Sequence, residues 1–372
     1  MLGRERVFPR TKITKMKIKA AFLTRSFNCL GLFLPILSTT AHVYAGSSIT
    51  AITTTDVTAA AALLRPGVAA LAGGPFDVTY NGVERRISTF VANGVTYQPI
   101  AGGTAVARRN NGTTSFPLVN PNQTAAWNQV ISTSSNASTV SGTYQNTMDG
   151  LFSSNNIRAG TENLFINTST TSGDVVNNVE RMDYIFSGGI TVGATRAFSV
   201  FERGQGTGGT GVNGGFKVAA ITSLDNAGVP NGFSSTVVSV ADNSYNNGGV
   251  GVTVAANYDV FRFATNAGPE LDLMNNTNIG PQGVAGFSML TTEFATAGAT
   301  IFGYAVFGKD VTVTGNALVD WTNTTNYVTN SGASNDVDLV STGAVVYQVV
   351  PEPSAVLLGM GGLLGLLVRR RR

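Results

Sequence analysis

Short runs of alternating apolar and polar residues, two residues to the repeat, recur along most of the second half of the chain and predict half-buried strands. In Val179 to Phe186, Glu180, Met182, Tyr184 and Phe186 fall on one side, and Val179, Arg181, Asp183 and Ile185 on the other. Ala197 to Arg203 alternates less cleanly. Further runs are Asn163 to Asn167, Phe216 to Ser223, Ser235 to Ala241, Val250 to Ala255, Asp259 to Ala264, Gly286 to Leu290, Thr300 to Phe307 and Gly343 to Val350. Clusters of Gly, Asn or Pro separate most of them. Many short strands at this spacing predict a mainly all-β body, an antiparallel β-sandwich or jelly-roll-like fold. A β-helix is the alternative. No fixed-length repeat is visible, and the recurrence of Val-Glu-Arg at 83–85 and 179–181 is too short to be one.

Helical pattern is confined to the two ends. Asp56 is placed to cap a short Ala-rich helix, Val57 to Leu64, which Pro66 and Gly67 stop, and Val68 to Leu71 can form a second. From Gly102 to Asn156 the chain is rich in Asn, Ser, Thr and Gly with little periodicity, which predicts a long connection with small strands at most. The organisation expected is a leader at 1–45, a segment with a short helix and strands at 46–101, the connection at 102–160, the β-rich body at 161–349 and a tail at 350–372.

The leader and the tail have their own patterns. Basic residues from Arg4 to Lys19 and Arg25 precede the apolar stretch Cys29 to Leu37, and Val43-Tyr44-Ala45 follows, small at the two positions a signal peptidase reads. Cleavage is expected between Ala45 and Gly46. The basic stretch is long, and Met16-Lys17-Ile18-Lys19 offers a more usual start than Met1. At the other end stand Pro351-Glu352-Pro353, an uncharged run of 15 residues from Ser354 to Val368, and then Arg369, Arg370, Arg371 and Arg372. As a C-terminal hydrophobic helix that run would reach only roughly 22 Å, short of the roughly 30 Å hydrocarbon core. It can hold a chain in the membrane for a time but is a poor permanent transmembrane helix. The arginines form a stop that the positive-inside rule keeps cytoplasmic, so the chain before Pro351 lies on the far side.

This order of motif, apolar run and basic end resembles the PEP-CTERM sorting tail of exported proteins in bacteria that carry an exosortase. The matching residues are Val350 to Ser354, Ala355 to Val368 and the four arginines. The resemblance implies that a membrane-embedded exosortase recognises Pro351, Glu352 and Pro353, cuts or transfers the chain nearby, and leaves the protein on the cell surface or in the extracellular matrix. Blocks of the body are also similar to exosortase-dependent surface proteins: Thr161 to Asn167, Asn178 to Phe186, Phe198 to Gly204, Phe216 to Asp225, Tyr304 to Val311 and Leu318 to Trp321. Those proteins imply no particular reaction.

Charge changes the picture once the ends are set aside. Residues 46–350 hold 12 of the 24 Lys and Arg but 19 of the 21 Asp and Glu, a net charge near −7 against +3 for the whole chain. A basic patch for nucleic acid therefore has no support. Cys29 and His42, the chain's one cysteine and one histidine, both precede Ala45. A mature body without either has no disulfide, no cysteine nucleophile, no Ser-His-Asp triad and no histidine-based metal site.

Chemistry must then come from carboxylates, amides and aromatic rings. Glu180, Asp183, Glu202 and Asp225 are the candidates for a carboxylate-dependent glycoside hydrolase, although Glu180-Arg181 and Glu202-Arg203 read as paired or solvated strand charges. Asn335-Asp336-Val337-Asp338 and Glu270-Leu271-Asp272 set alternate carboxylates on one side of an extended chain, so Asp336 and Asp338 are candidate calcium ligands. Neither has EF-hand spacing. Gly204 to Gly209 is glycine-rich but lies between strands with no lysine or helix after it, unlike a phosphate cradle. Trp321, beside Asp320 and Asn323, is a candidate glycan contact, with a buried strand-end tryptophan as the plainer reading. The function expected is that of a non-enzymatic surface or matrix protein contributing to biofilm structure, with signal peptidase, exosortase, the membrane before processing and exopolysaccharide as partners. A carbohydrate-binding module and a secreted hydrolase are the alternatives.

Overall fold

The computed structural model describes residues 46–58, 83–110, 115–117, 152–153, 155–161, 164–166, 179–205, 213–245, 253–254, 258–263, 271–276, 282–328 and 337–351. All of them fall in the compact unit His42–Arg372. Its strands are β1 (Ser47–Thr58), β2 (Val83–Ala92), β3 (Val95–Gly102), β4 (Thr104–Asn110), β5 (Ser115–Pro117), β6 (Asn156–Thr161), β7 (Val179–Thr191), β8 (Arg196–Gln205) and β9 (Phe216–Leu224). They continue with β10 (Pro230–Val240), β11 (Thr253–Val254), β12 (Tyr258–Phe263), β13 (Leu271–Asn276), β14 (Gln282–Leu290), β15 (Thr300–Gly308), β16 (Val340–Ser341) and β17 (Val345–Val349). The chain is mainly β, and its strand pairs are antiparallel except for β6 with β12.

Six strands close into a barrel in the order β1-β2-β3-β17-β8-β14, with β14 returning to β1 and β11 added beside β14. The closing seam is short: Ser47 opposes Ser288 and Ser48 opposes Phe287. Closure supplies partners for two edges that would otherwise present unpaired N–H and C=O groups. The β2–β3 hairpin turns through Asn93-Gly94 with φ of 51° and 76°, the left-handed pair that a two-residue turn matched to strand twist requires. Inside the barrel Phe90 stacks on Tyr97 at 5.0 Å and meets Tyr347 and Phe201 edge-on at 4.8 and 6.0 Å. Ile49, Ile87, Val284 and Leu290 fill the space around them.

A second sheet, β10-β9-β15-β7-β4-β5, covers one side of the barrel. Alternation gives the barrel strands two apolar faces: Ala197 and Phe201 of β8 point inward, while Phe198 and Val200 point out against Met182, Tyr184, Val218, Tyr304 and Val306 of the second sheet. The Tyr304 hydroxyl reaches across this layer to the carbonyls of Ser199 and Gly343 at 3.0 and 2.7 Å. The far face of the second sheet carries Val106, Ile185, Ile221, Phe233 and Phe307, which Val311, Leu318 and Tyr327 cover. A third sheet, β13-β12-β6-β16, adds Ile157 and Val340 to the barrel's interior cluster. Among the described residues no helix is long and apolar enough to cross a membrane.

Three expectations from the sequence are corrected. The body is a closed barrel with a sheet laid on it rather than a sandwich, because β1 and β14 pair with each other instead of ending as free edges. The helix expected to start at Val57 does not start there: the β-branched run Thr53-Thr54-Thr55 continues as strand through Thr58, with Val57 opposite Glu84. Asp56 caps nothing and instead pairs with Arg85 at 2.7 Å. The strand expected over Asn163 to Asn167 falls earlier, at β6, and Leu164-Phe165 lie in a turn. The rest of that helix, the helix at Val68 to Leu71 and the C-terminal hydrophobic helix lie outside the described residues.

Phe201 touches the aromatic group at the centre of the barrel and is fully buried. Phe201→Ala is expected to cost about 3–5 kcal/mol, the range for emptying a buried aromatic site. Urea unfolding checks this, and a loss below about 1 kcal/mol would place Phe201 outside a packed core.

Candidate functional site

The four candidate carboxylates occupy different environments. Asp183 is fully buried on β7 and lies between two guanidinium groups, with Arg108 Nε and Arg181 Nε each 2.7 Å from its oxygens. Arg181 also donates to the Leu318 carbonyl and, at 3.2 Å, to that of Val319, and its guanidinium sits 4.9 Å from the centre of the Phe233 ring. Tyr327 donates to the same Leu318 oxygen at 2.6 Å. This cluster binds the 3-10 helix Gly315–Leu318 to the second sheet.

Glu180 interrupts the β4–β7 ladder. Arg108 opposes Arg181 but Arg109 opposes Val179, so Glu180 is the extra residue of a β-bulge. It is buried. The bulge explains why Val179 joins the same core as Met182 and Tyr184 despite standing at the opposite parity. Asp225 is exposed and closes the β9–β10 turn by accepting from the N–H groups of Ala227 and Val229, each at 2.8 Å.

Glu202 lies in a different setting again. It is buried at the end of β8, where the Gly214 N–H donates to Oε1 at 2.9 Å, the Asp338 N–H at 3.4 Å, and Tyr245 bonds Oε2. Burial pushes its carboxyl well above the ordinary 4.5, against the opposing pull of the Gly214 and Tyr245 bonds. The Tyr245 hydroxyl lies within reach of two acceptors, Glu202 Oε2 and, at 3.0 Å, the Gly214 carbonyl. Sequence reasoning singled out Glu202 but not Tyr245, 43 residues away, which nothing in the local pattern marks.

Asp338 stands beside this cluster, with Oδ2 3.9 Å from Arg203. Asn335, Asp336 and Glu270 lie outside the described residues, and Asp272 falls in β13 opposite Arg262. No group of three or more His, Cys, Asp or Glu able to hold a metal occurs among the described residues. Trp321 is half-buried against the outer core, which Val313 and Val319 also cover. Asp320 and Asn323 bond the following backbone at Thr322 and Thr325.

The two ends of the described chain meet at one rim of the barrel. β17 is its last strand, with Gln348 opposite both Gln98 and Arg196. The Val349 N–H then donates to Thr195 O at 2.9 Å and the Val350 N–H to Thr96 O at 2.8 Å. Pro351 follows, exposed, and having no N–H it ends the ladder. Glu352, Pro353 and Arg369 to Arg372 lie outside the described residues, as does Ala45. Gly46 opens β1 at the same rim, where Leu290 at the end of β14 faces Ala197 at the start of β8. The Gly46 N–H donates to Glu293 Oε2 at 3.0 Å.

No protein-family model, no curated protein and no solved structure matches the chain.

Glu202 sets a sign for the pH dependence of stability. With its folded pKa raised, its contribution is complete below about 4.5 and is lost as pH rises through the raised value. Glu202→Gln keeps the shape and the hydrogen-bonding capacity of the protonated form. The variant is expected to flatten the fall in melting temperature above pH 4.5. An unchanged slope would mean that Glu202 is ionised in the folded protein.

Proposed function

We propose that this chain is an exported protein, sorted to the cell surface or the extracellular matrix through its C-terminal tail, with a structural or interaction role and no catalysis of its own. Signal peptidase releases the leader after Ala45, and exosortase recognises Pro351, Glu352 and Pro353. The apolar run ending at Val368 is a membrane-embedded helix held by Arg369 to Arg372 until processing. Exopolysaccharide is the partner on the outside.

The observation that carries this reading is the order of features at the end of the chain. Among the described residues the barrel's last backbone bond is made by Val350, and Pro351-Glu352-Pro353 begins at the next residue. A cut at the motif therefore spares every pairing of β17. The separation of charge also supports it, because the basic residues concentrate at the two ends and leave an acidic body between them. Among the candidate carboxylates, one is neutralised by arginines, one is shielded by a tyrosine and one closes a turn. That arrangement favours a structural role over a hydrolase.

Surface-extracted protein is expected to end between Val350 and Pro353, and Glu352→Gln to leave a membrane-retained precursor. A chain stopped after Val350 is expected to fold and escape into the medium. Stopping after Tyr347 would instead remove Gln348 and Val349 from the barrel. Mass spectrometry of the surface form decides the matter: mature protein still carrying Leu367-Val368-Arg369 would mean a simple anchor.

A further inference from the structure

Gly46 sits in a slot that its neighbours define closely. A Cβ added there would come within 2.5 Å of Phe287 Cε1 and 3.2 Å of Met289 Cγ, so a side chain at this position would displace the ring. Its nitrogen points to Glu293, 3.0 Å from Oε2. The other oxygen, Oε1, is held by the Leu290 N–H at 2.8 Å, so the carboxylate is fixed in orientation before Gly46 reaches it. Glu293 is half-buried, and burial raises its pKa above 4.5 in spite of the two N–H bonds. A neutral amide is thus an incomplete partner for this carboxylate.

We propose that the Gly46–Glu293 contact is a binding site for the chain's own new N-terminus, completed only when the leader is removed. The site rests on the cleavage reading given above. Hydrolysis of the Ala45–Gly46 bond adds the oxygen of water to the Ala45 carbonyl carbon and leaves the Gly46 nitrogen as an ammonium at neutral pH. The nitrogen need not move. The hydrogen bond to Glu293 becomes charge-assisted, a class roughly twice as strong as a neutral one. The site lies where it matters mechanically, because the next two residues, Ser47 and Ser48, make the seam with Ser288 and Phe287 that closes the barrel. Removal of the leader therefore tightens the one junction on which closure depends.

The test uses the full chain expressed in an exporting cell and purified after processing, with intact mass locating the N-terminus. Inserting one serine between Ala45 and Gly46 moves the ammonium by a residue but keeps a Gly46 N–H for Glu293. Wild type, the insertion, Glu293→Gln and the combination form a double-mutant cycle. The insertion is expected to lower the melting temperature by roughly 2–4 °C, and Glu293→Gln to cost much less in the inserted chain than in wild type. Equal cost in the two backgrounds, in a protein that begins at Gly46, would overturn the site alone. A mature chain beginning elsewhere would overturn the cleavage reading and the site with it. Should Glu293→Gln fail to accumulate, labelling of the α-amine by a pyridine aldehyde decides the question. Wild type is expected to react about tenfold more slowly than the inserted chain, the effect of raising the amine pKa by one unit, and equal rates would overturn the site.

Discussion

The architecture depends on a seam of two residue pairs, Ser47 with Ser288 and Ser48 with Phe287. Without it, the strands β1-β2-β3-β17-β8-β14 would form an open sheet with edges at β1 and along β14. With it, every one of those strands has two neighbours and the aromatic group of Phe90, Tyr97, Phe201 and Tyr347 is enclosed. The seam joins elements more than 200 residues apart in sequence. Closing so long a loop is costly in entropy, though the cost grows only slowly with length, and the enclosed aromatic surface offsets it.

The barrel wall is apolar on both sides only where the second sheet covers it. β8 shows this most clearly, with Phe201 inside and Phe198 outside. Phe198 stacks on Tyr304 at 4.5 Å, and Tyr304 in turn lies 4.9 Å from Tyr184. A tyrosine can be buried there because its hydroxyl finds two backbone carbonyls of the barrel. The far side of the same sheet packs against a second apolar cluster, and Arg108, Asp183 and Arg181 are buried there because Asp183 pairs with both arginines and Arg181 also donates to the carbonyls of Leu318 and Val319.

Much of the strand content was legible in the sequence, and what was missed has physical reasons. The runs at Val179, Ala197, Phe216 and Thr300 begin within a residue of β7, β8, β9 and β15. Those runs stay legible as strand because both of their faces pack on apolar clusters, which keeps them rich in apolar, β-branched and aromatic residues. The end of β1 was not legible as strand, since Asp56 ahead of an alanine-rich run imitates a helix cap, whereas its actual partner, Arg85, is 29 residues away. Asn93-Gly94 was a local signal for the β2–β3 hairpin, and reading it would have located both strands. Closure could not be read at all, because nothing in Ser47-Ser48 specifies a partner near Ser288. The same holds for Glu202 with Tyr245 and for Gly46 with Glu293, both contacts that only the folded chain brings together.

Barrel closure can be tested directly because the body after Ala45 contains no cysteine. The measurement is oxidative cross-linking of the exported protein carrying Ser47→Cys and Ser288→Cys. Residues directly opposite each other in an antiparallel pair stand within the Cα separation that a disulfide spans. The account predicts a cross-link formed within one molecule at high yield in the folded protein and lost when the protein is unfolded before oxidation. A folded protein that leaves both thiols free would contradict the closed barrel.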